Sequence, residues 1–475
     1  MAHAWTIKID WDNDDSFADE DNEAIYTRDV NIKRGRRYYV RMDGQGFERV
    51  MMGDLTLVLE NSTARFDPWN SSSAIYPNVV PGRKCQVICD GDTLFTGFLT
   101  DIKPISGKDE RVMIRAVDGI SKLQKIDITD VLYTGETVAT LLAAILTAAS
   151  WGDGSNIDAD TDIVPYWWTT DESAWEALNN LAEAWMGVMF INKSGEVNFY
   201  ARQHSETATV TLTQAKLLRE IITGQPWEVI RNHVTVFAKP RRVYASQELW
   251  RLVDTPLIAA GDSATYWADF FYDNLPVPAD NVVSPASTTD YTMNAQADGG
   301  GADLTGNFTV TPTKYATRAK LVVANTGGTD GYITLLKIRG DALAETRTRI
   351  EREDSTSQGL YDVNKLVLEY DAMQSIDNAE DFAAFLISVL PDPLAFPIIQ
   401  LEERDEQFDV DLFDKVALTI AKKSIAADFD VGAIEHQTLT ENLQSIRTTL
   451  WLEPSLDDRY WVFTATVNES TILGF

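Results

Sequence analysis

The chain is poor in the residues that much enzyme chemistry depends on. Its 475 residues include two cysteines and four histidines, too few for a disulfide framework or a persuasive zinc site. Cys85 and Cys89 sit four apart on a segment that reads as a strand. That spacing places them on one face about 13 Å apart, beyond disulfide reach, so both read as buried core thiols. Basic residues are scarce as well: 41 Lys and Arg against 72 Asp and Glu give a net charge of −31. This argues against the basic face of a nucleic-acid reader and keeps the chain soluble before assembly. The longest apolar run, residues 139–149, is too short to cross a bilayer. The opening MAHAWTIKID lacks the charged and apolar regions of a leader, so synthesis in a cytoplasm without Sec export is expected. No G-x-S-x-G nucleophile elbow occurs, and the glycine run at 299–301 lacks the Lys and following helix of a phosphate-binding loop.

What the chain does have is length, apolar content and aromatics. Its length points to roughly three domains, and 44% hydrophobic residues are enough for packed cores. Thirteen tryptophans are many, and Trp69, Trp151, Trp167 and Trp168 fall near turns. Tryptophans so placed serve interfaces or cap barrel ends, and the sequence leaves both readings open. Residues 55–102 are the most informative stretch. Leu55, Leu57 and Leu59 alternate as in a half-buried strand, 85–89 and 93–99 read as a hairpin, and Asp90-Gly91 is its turn. The polar loop between them, 61–81, carries Phe66, Trp69, Ile75 and Tyr76. Four large apolar side chains in a loop of Asn, Ser and Pro predict a contact with a neighbouring subunit or partner.

The expected fold is multidomain, β-rich and α+β: two small β-barrels flanking a mixed region, with an inserted β-sandwich. Residues 1–125 read as a first barrel with strands near 5–10, 38–41, 55–59, 85–89, 94–101 and 111–117. Residues 126–249 read as an α+β unit. One helix follows Thr134 as a candidate N-cap, and a second runs over 173–186 behind a Ser173/Glu176 capping box and is stopped by Gly187. A hairpin comes next, extended by strands near 209–212 and 233–238. Residues 250–340 turn Thr- and Gly-rich, the texture of an inserted sandwich. Residues 341–390 return to the α+β region, with Phe382, Phe385, Leu386, Val389 and Leu390 on one helical stripe. Residues 391–475 make a second barrel and a C-terminal tail.

Candidates for chemistry are few. Asp10, Asp12 and Asp14 have the alternating spacing of a calcium loop, but position six is Asp15 instead of Gly and position twelve is Asp21 instead of Glu. They are kept as a candidate structural Ca²⁺ site beside the alternative of a solvated acidic turn. Carboxylate pairs at Glu402/Glu403 and Asp409/Asp411 are what 72 acidic residues produce by chance. The strand histidines His233 and His436 fit hydrogen-bonded core positions better than general bases. Basic residues cluster at 33–41 and 239–242; the first mixes Arg with Tyr, and its expected counterpart is a neighbour's acidic surface, with a nucleic-acid patch as the alternative. No catalytic or cofactor-binding residue is assigned.

The ordered succession of these segments resembles the tail-tip, or baseplate, hub proteins of tailed bacteriophages, of siphophage type. The segments carrying the resemblance are WTIKIDWDNDDSF, LEN, RFDP, SSSAIYPNVVPGR and GDTLFTGFLTDI, then ESAWEALNNLAEAWMGVMFINKSGEVNFYAR, NAEDFAAFLISVL and DLFDKVALTI. The resemblance implies a structural, non-enzymatic virion protein that forms a homotrimer with a pseudo-sixfold collar of barrels. It would close the distal end of the tail tube, form a central channel that DNA passes without specific binding, and anchor fibres or a spike for host attachment. Implied partners are the distal tail protein ring, the tape measure protein and tail fibre or spike proteins. A carbohydrate-binding adhesin using the inserted sandwich, and a tail-associated cell-wall hydrolase, are the alternatives.

Overall fold

The computed structural model describes residues 3–37, 41, 43–128, 132–169, 171–202, 204, 207–213, 215, 221–402, 405–420, 425–439 and 443–455. The strand expected at 38–41 and the tail expected after Pro454 lie largely outside them.

Six strands open the chain: β1 (Trp5–Ile9), β2 (Thr27–Gly35), β3 (Met51–Glu60), β4 (Lys84–Cys89), β5 (Asp92–Ile105) and β6 (Arg111–Val117). Their order in space is β1-β4-β5-β6-β3-β2. Alternation sets the faces: Leu55, Leu57 and Leu59 of β3 are buried with Ile7, Ile9, Val87 and Ile114 in one core. Asp90 and Gly91 both take the positive φ that a tight hairpin turn needs, and they close β4 onto β5. Cys85 and Cys89 are buried free thiols in this core, and burial pushes Cys85 up to about 12.

The mixed region follows: α1 (Ile120–Leu123), β7 (Tyr133–Thr137), α2 (Val138–Ala148), β8 (Ser155–Ile157), β9 (Ile163–Trp167), α3 (Ala174–Ala184), β10 (Val188–Ile191) and β11 (Val197–Tyr200). Ser173 caps α3 by accepting from the Glu176 amide at 3.3 Å. Thr137, and not Thr134, caps α2, because β7 pairs with β9 as far as Thr137 and keeps the chain extended until there. Leu141, Leu142 and Ile145 of α2 and Trp175, Leu178 and Leu181 of α3 share one core with the β10–β11 hairpin. The third strand of that hairpin's sheet is β8, parallel to β11. The strands expected to extend it go elsewhere: β12 (Val210–Thr213) joins the large sheet and β14 (His233–Ala238) starts another, and between them an unexpected short strand, β13 (Ile222–Gly224), also joins the large sheet.

The insert is framed by the paired strands β15 (Arg241–Arg251) and β24 (Gly331–Glu345), from Arg241↔Glu345 inward. Between them run β16 (Leu257–Ile258), β17 (Ser263–Asp269), β18 (Phe271–Tyr272), β19 (Leu275–Pro276), β20 (Ala279–Asp280), β21 (Tyr291–Asn294), β22 (Phe308–Lys314) and β23 (Arg318–Asn325). A five-stranded sheet on β24 and a three-stranded sheet, β17-β23-β22, share a core of Leu249, Phe270, Leu321, Val323, Ile333 and Leu336. The texture change at 250 and 340 falls inside the framing strand pair.

The chain then returns through β25 (Thr348–Glu353), α4 (Ser355–Tyr361), β26 (Lys365–Glu369) and α5 (Ile376–Val389). β14 lies between β25 and β26, and the expected stripe of α5 is buried with these strands' apolar residues. Last come β27 (Phe396–Glu402), β28 (Lys415–Ile420), β29 (Ile425–Thr438) and β30 (Ile446–Pro454).

The expectation of two separate barrels changes here. β2 pairs with β29 from Asn31↔Gln437 to Gly35↔Ala433. This joins the first and last strands of the chain in one twelve-stranded sheet, continuing β29-β30-β27-β13 with β28 and β12 at its side. Among the described residues no pairing closes either half into a barrel. The junction is tight. Gly35 has φ +102°, and a Cβ there would meet the Gly432 carbonyl oxygen at 2.2 Å.

Candidate functional site

Loop 61–81 is a built structure. Its backbone folds into successive turns of three residues: the amides of Ala64, Asp67, Asn70, Ser73 and Tyr76 each donate to the carbonyl three residues back, at 2.8–3.3 Å. Side chains lock this ladder. Asn61 Oδ1 accepts from the Phe66 amide at 3.0 Å, Asn70 Nδ2 donates to the Ala64 carbonyl at 2.9 Å, and Ser73 Oγ donates to the Arg65 carbonyl at 2.6 Å. Phe66 nails the loop down. It is fully buried, edge-on to Tyr26 at 5.6 Å and near Trp11 at 6.3 Å. Arg65 stacks on both Tyr26 and Phe66 and pairs with the buried Glu23 at 2.8 Å.

The four expected contact residues therefore divide. Phe66 is a core residue and leaves the interface set, and Ile75 is half-buried against the same core. Trp69 is 82% exposed and Tyr76 45% exposed. Trp69 and Tyr76 therefore project from a loop whose backbone is fixed by its own hydrogen bonds. The other tryptophans noted near turns serve the chain itself: Trp151 donates to the Gly154 carbonyl at 2.8 Å, Trp167 is buried, and Trp168 lies under Arg241 at 4.8 Å.

The basic segment 33–41 is divided: Arg34 and Arg36 are internal, and Lys33, Arg37 and Arg41 are exposed. Arg34, buried on β2, bonds Asp411 at 2.7 Å and the Ile191 carbonyl at 2.8 Å, so it links the first strands, the β10–β11 hairpin and the last strands. Arg36 pairs with Glu453 of β30 at 2.8 Å, both buried. Lys33 reaches Glu435 at 3.2 Å, and Arg37 stacks on Trp451 at 5.6 Å. Lys33, Arg34 and Arg36 thus meet acids of their own chain, where a neighbour's acidic surface was expected. Beside Arg34, Asp118 accepts from the amides of Gly53 at 2.6 Å and Ile120 at 3.0 Å; burial raises its pKa to about 7. The second basic segment behaves likewise: Lys239 pairs with Asp371 and Glu369, and Arg241 with Glu345.

The acidic loop is wound around Asp10. Asp10 is buried and accepts from the amides of Asn13 at 2.6 Å, Asp14 at 3.1 Å and Asp15 at 3.0 Å. Asp10, Asp12 and Asp14 bring carboxylate oxygens within 4.8 Å of one another. Asp12 is pushed above the ordinary carboxylate range by desolvation and then by Asp14. Asp15 takes φ 65°, the conformation that a glycine usually supplies at the sixth place of a calcium loop. The closing ligand does not fit: Asp21 turns to Arg65 at 3.1 Å. Glu20, near Asp12 and Asp10, is the acid on that side, and it accepts from the Trp11 amide at 2.6 Å. The loop therefore has a hard-cation donor set without the usual bidentate closure.

Nothing described forms a nucleophile–base pair in an open cleft. His204 pairs with Asp158 at 2.8 Å and His233 with Glu351 at 3.1 Å. His436 is buried against Thr448 Oγ1 at 2.8 Å, and desolvation lowers its pKa to about 3. Asp411 of the second acidic pair is taken by Arg34, and Glu403 of the first lies outside the described residues. Among the described residues, no helix is long and apolar enough to cross a membrane.

No protein-family model and no curated protein matches the chain. Solved structures do. The tail protein from Neisseria meningitidis MC58 aligns over 97% of this chain and all of its own, with a TM-score of 0.55 at 10% identity. The 43 kDa tail protein of prophage MuSo2 from Shewanella oneidensis aligns over 96% of this chain and 99% of its own, with a TM-score of 0.51 at 11% identity. The chain shares its fold, nearly end to end, with these two tail proteins.

The sequence reading missed three features. The Arg34 junction could have been suspected from Arg-Gly-Arg at a strand end, where the glycine lets another strand close in. Ile222 and Trp227, 58% and 60% exposed at the β13 end of the large sheet, sit in a segment with no periodicity to mark a surface. The third is the outer face of β17-β23-β22.

Proposed function

We propose that this chain is a structural protein of a phage-type tail, acting as a homotrimeric hub at the distal end of the tail tube. The observation that carries the reading is the end-to-end fold likeness to two tail proteins, together with the single sheet that binds the first strands to the last. A ring subunit needs two unlike patches, because a closed heterologous ring brings one surface of each copy against a different surface of the next. The large sheet offers such a pair. The β1–β4 half carries Trp69 and Tyr76 on their rigid loop, and the far end carries Ile222 and Trp227 beside β13. The β1 edge itself is blocked, since Asn22 accepts from the Ile7 amide and donates to the Trp5 carbonyl. That device disfavours open-ended strand addition.

In this reading the work is geometric and the chain has no catalytic activity. A distal tail protein ring, a tape measure protein and fibre or spike proteins are its neighbours, DNA passes a central opening without specific contacts, and the acidic loop holds Ca²⁺ structurally. The test is the mass of the purified protein by mass photometry, alone and with Trp69→Ala or Trp227→Ala. A trimer that either variant reduces to monomer supports the reading. A stable dimer, or a trimer indifferent to both variants, overturns it.

A further inference from the structure

The insert turns one sheet face to solvent. In β17-β23-β22 the side chains facing inward are Ala319, Leu321 and Val323 of the central strand, all buried. Those facing outward form rows across the strands: Thr265–Val322–Thr311, then Trp267–Lys320–Thr313, with Asp269 opposite Arg318 at the end. Trp267 stands in the middle row and is 50% exposed. Tyr315, from the turn joining β22 to β23, lies 5.9 Å from it with the rings tilted by 30°. Arg318 sits 5.2 Å from the Trp267 ring and 5.8 Å from that of Tyr315, and Lys320 sits 6.0 Å from Trp267.

We propose that this face binds a carboxylate-bearing polysaccharide, one built from uronic or sialic acids. The apolar element is one indole with one phenol at its side, and its neighbours in the rows are Thr, Lys, Arg and Asp. A protein-docking patch has an apolar core wider than that. A sugar ring needs only an aromatic plane for its C–H face, with hydroxyl and charged partners around it, and Thr265, Thr311 and Thr313 supply exposed hydroxyls. The two cations select acidic sugars. In a chain of net charge −31, Arg318 and Lys320 converge on one exposed ring. Arg318 has Asp171 at 3.9 Å and Asp269 across the strand, and among the described residues Lys320 has no carboxylate within 4.0 Å. The overall charge repels a polyanion at long range. At physiological salt the screening length is about 8 Å, so the local pair of cations decides.

Affinity electrophoresis of the full-length protein at physiological salt tests this, in gels holding polygalacturonate, polysialic acid or neutral dextran. The expected result is retardation by one or both acidic polymers and none by dextran, with the polymer that retards naming the sugar class. Trp267→Ala should weaken binding about tenfold or more, because it removes the stacking plane. Lys320→Gln should weaken it less and flatten its salt dependence. Retardation by dextran as strong as by the acids, no retardation by either acid, or a Trp267→Ala protein that binds like the parent would overturn the proposal. A Trp267→Ala protein that falls to a smaller oligomer would also overturn it, by making the face a protein contact.

Discussion

The joined sheet and the insert use arginine in opposite ways. At the end of β2, Arg34 and the following Arg36 are buried and tied to Asp411, Glu453 and the Ile191 carbonyl, so their charge holds three parts of the chain in register. On the insert, Arg318 and Lys320 remain partly exposed against an exposed ring. A buried pair mainly penalises the loss of one partner, because the other is left desolvated and uncompensated. A half-exposed cation contributes little to stability. One residue type thus marks structure in one region and binding in the other, and burial with partner identity separates the two.

The sharpest way to break this contrast is Arg34→Ala. It leaves Asp411 without its cation, and we expect a loss of about 3–5 kcal/mol in chemical denaturation. Arg318→Ala on the insert should cost less than about 1 kcal/mol in the same assay. Similar losses at the two sites would erase the distinction.

The acidic loop is next in size. If the Asp10–Asp12–Asp14 oxygens hold Ca²⁺, calcium at a hundred times its dissociation constant adds about 2.7 kcal/mol. A thermal melt in calcium and then in chelator should move accordingly, and Asp12→Asn should abolish the shift. A midpoint unmoved by millimolar calcium would leave the loop as a solvated acidic turn.

Titration separates two groups near the junction by sign. His436, lowered to about 3, contributes stability that is complete above the unfolded value of about 6.5 and is lost as pH falls through that window. Asp118, raised to about 7, contributes stability that is complete below the unfolded carboxylate range and is lost as pH rises toward 7 and beyond. His436→Gln should therefore flatten the acid limb of the melting profile between pH 6.5 and 4. Asp118→Asn should flatten the decline from pH 4 to 8. Profiles that change in the same direction for both variants would contradict these environments.

Much of the local structure was legible in the sequence. The Leu55–Leu57–Leu59 alternation, the Asp90-Gly91 turn, the Ser173 cap and the Phe382–Leu390 stripe each express a short-range rule that the structure keeps. What the sequence did not carry was long-range pairing. Residues 31–35 meet 433–437 across some four hundred positions, and no local period records that partnership, so a continuous sheet read as two barrels. Loop 61–81 was half legible for a related reason. Its composition predicts large apolar contacts, but whether Phe66 or Trp69 points inward depends on the three-residue turn ladder, which sets direction residue by residue. The outer face of the insert was hidden because Trp267, Lys320 and Arg318 come together only through strand register.

The smallest expected effect on stability belongs to the residue with the largest expected effect on assembly. Trp69→Ala should change folding stability by no more than about 0.5 kcal/mol, because its side chain is 82% exposed. Mass photometry of this variant beside the parent tests the account's central claim most directly. The account predicts a parent at three times the chain mass and a variant at the chain mass, with the same melting temperature. A parent that stays monomeric or forms a dimer, or a parent trimer that both Trp69→Ala and Trp227→Ala leave intact, would contradict it.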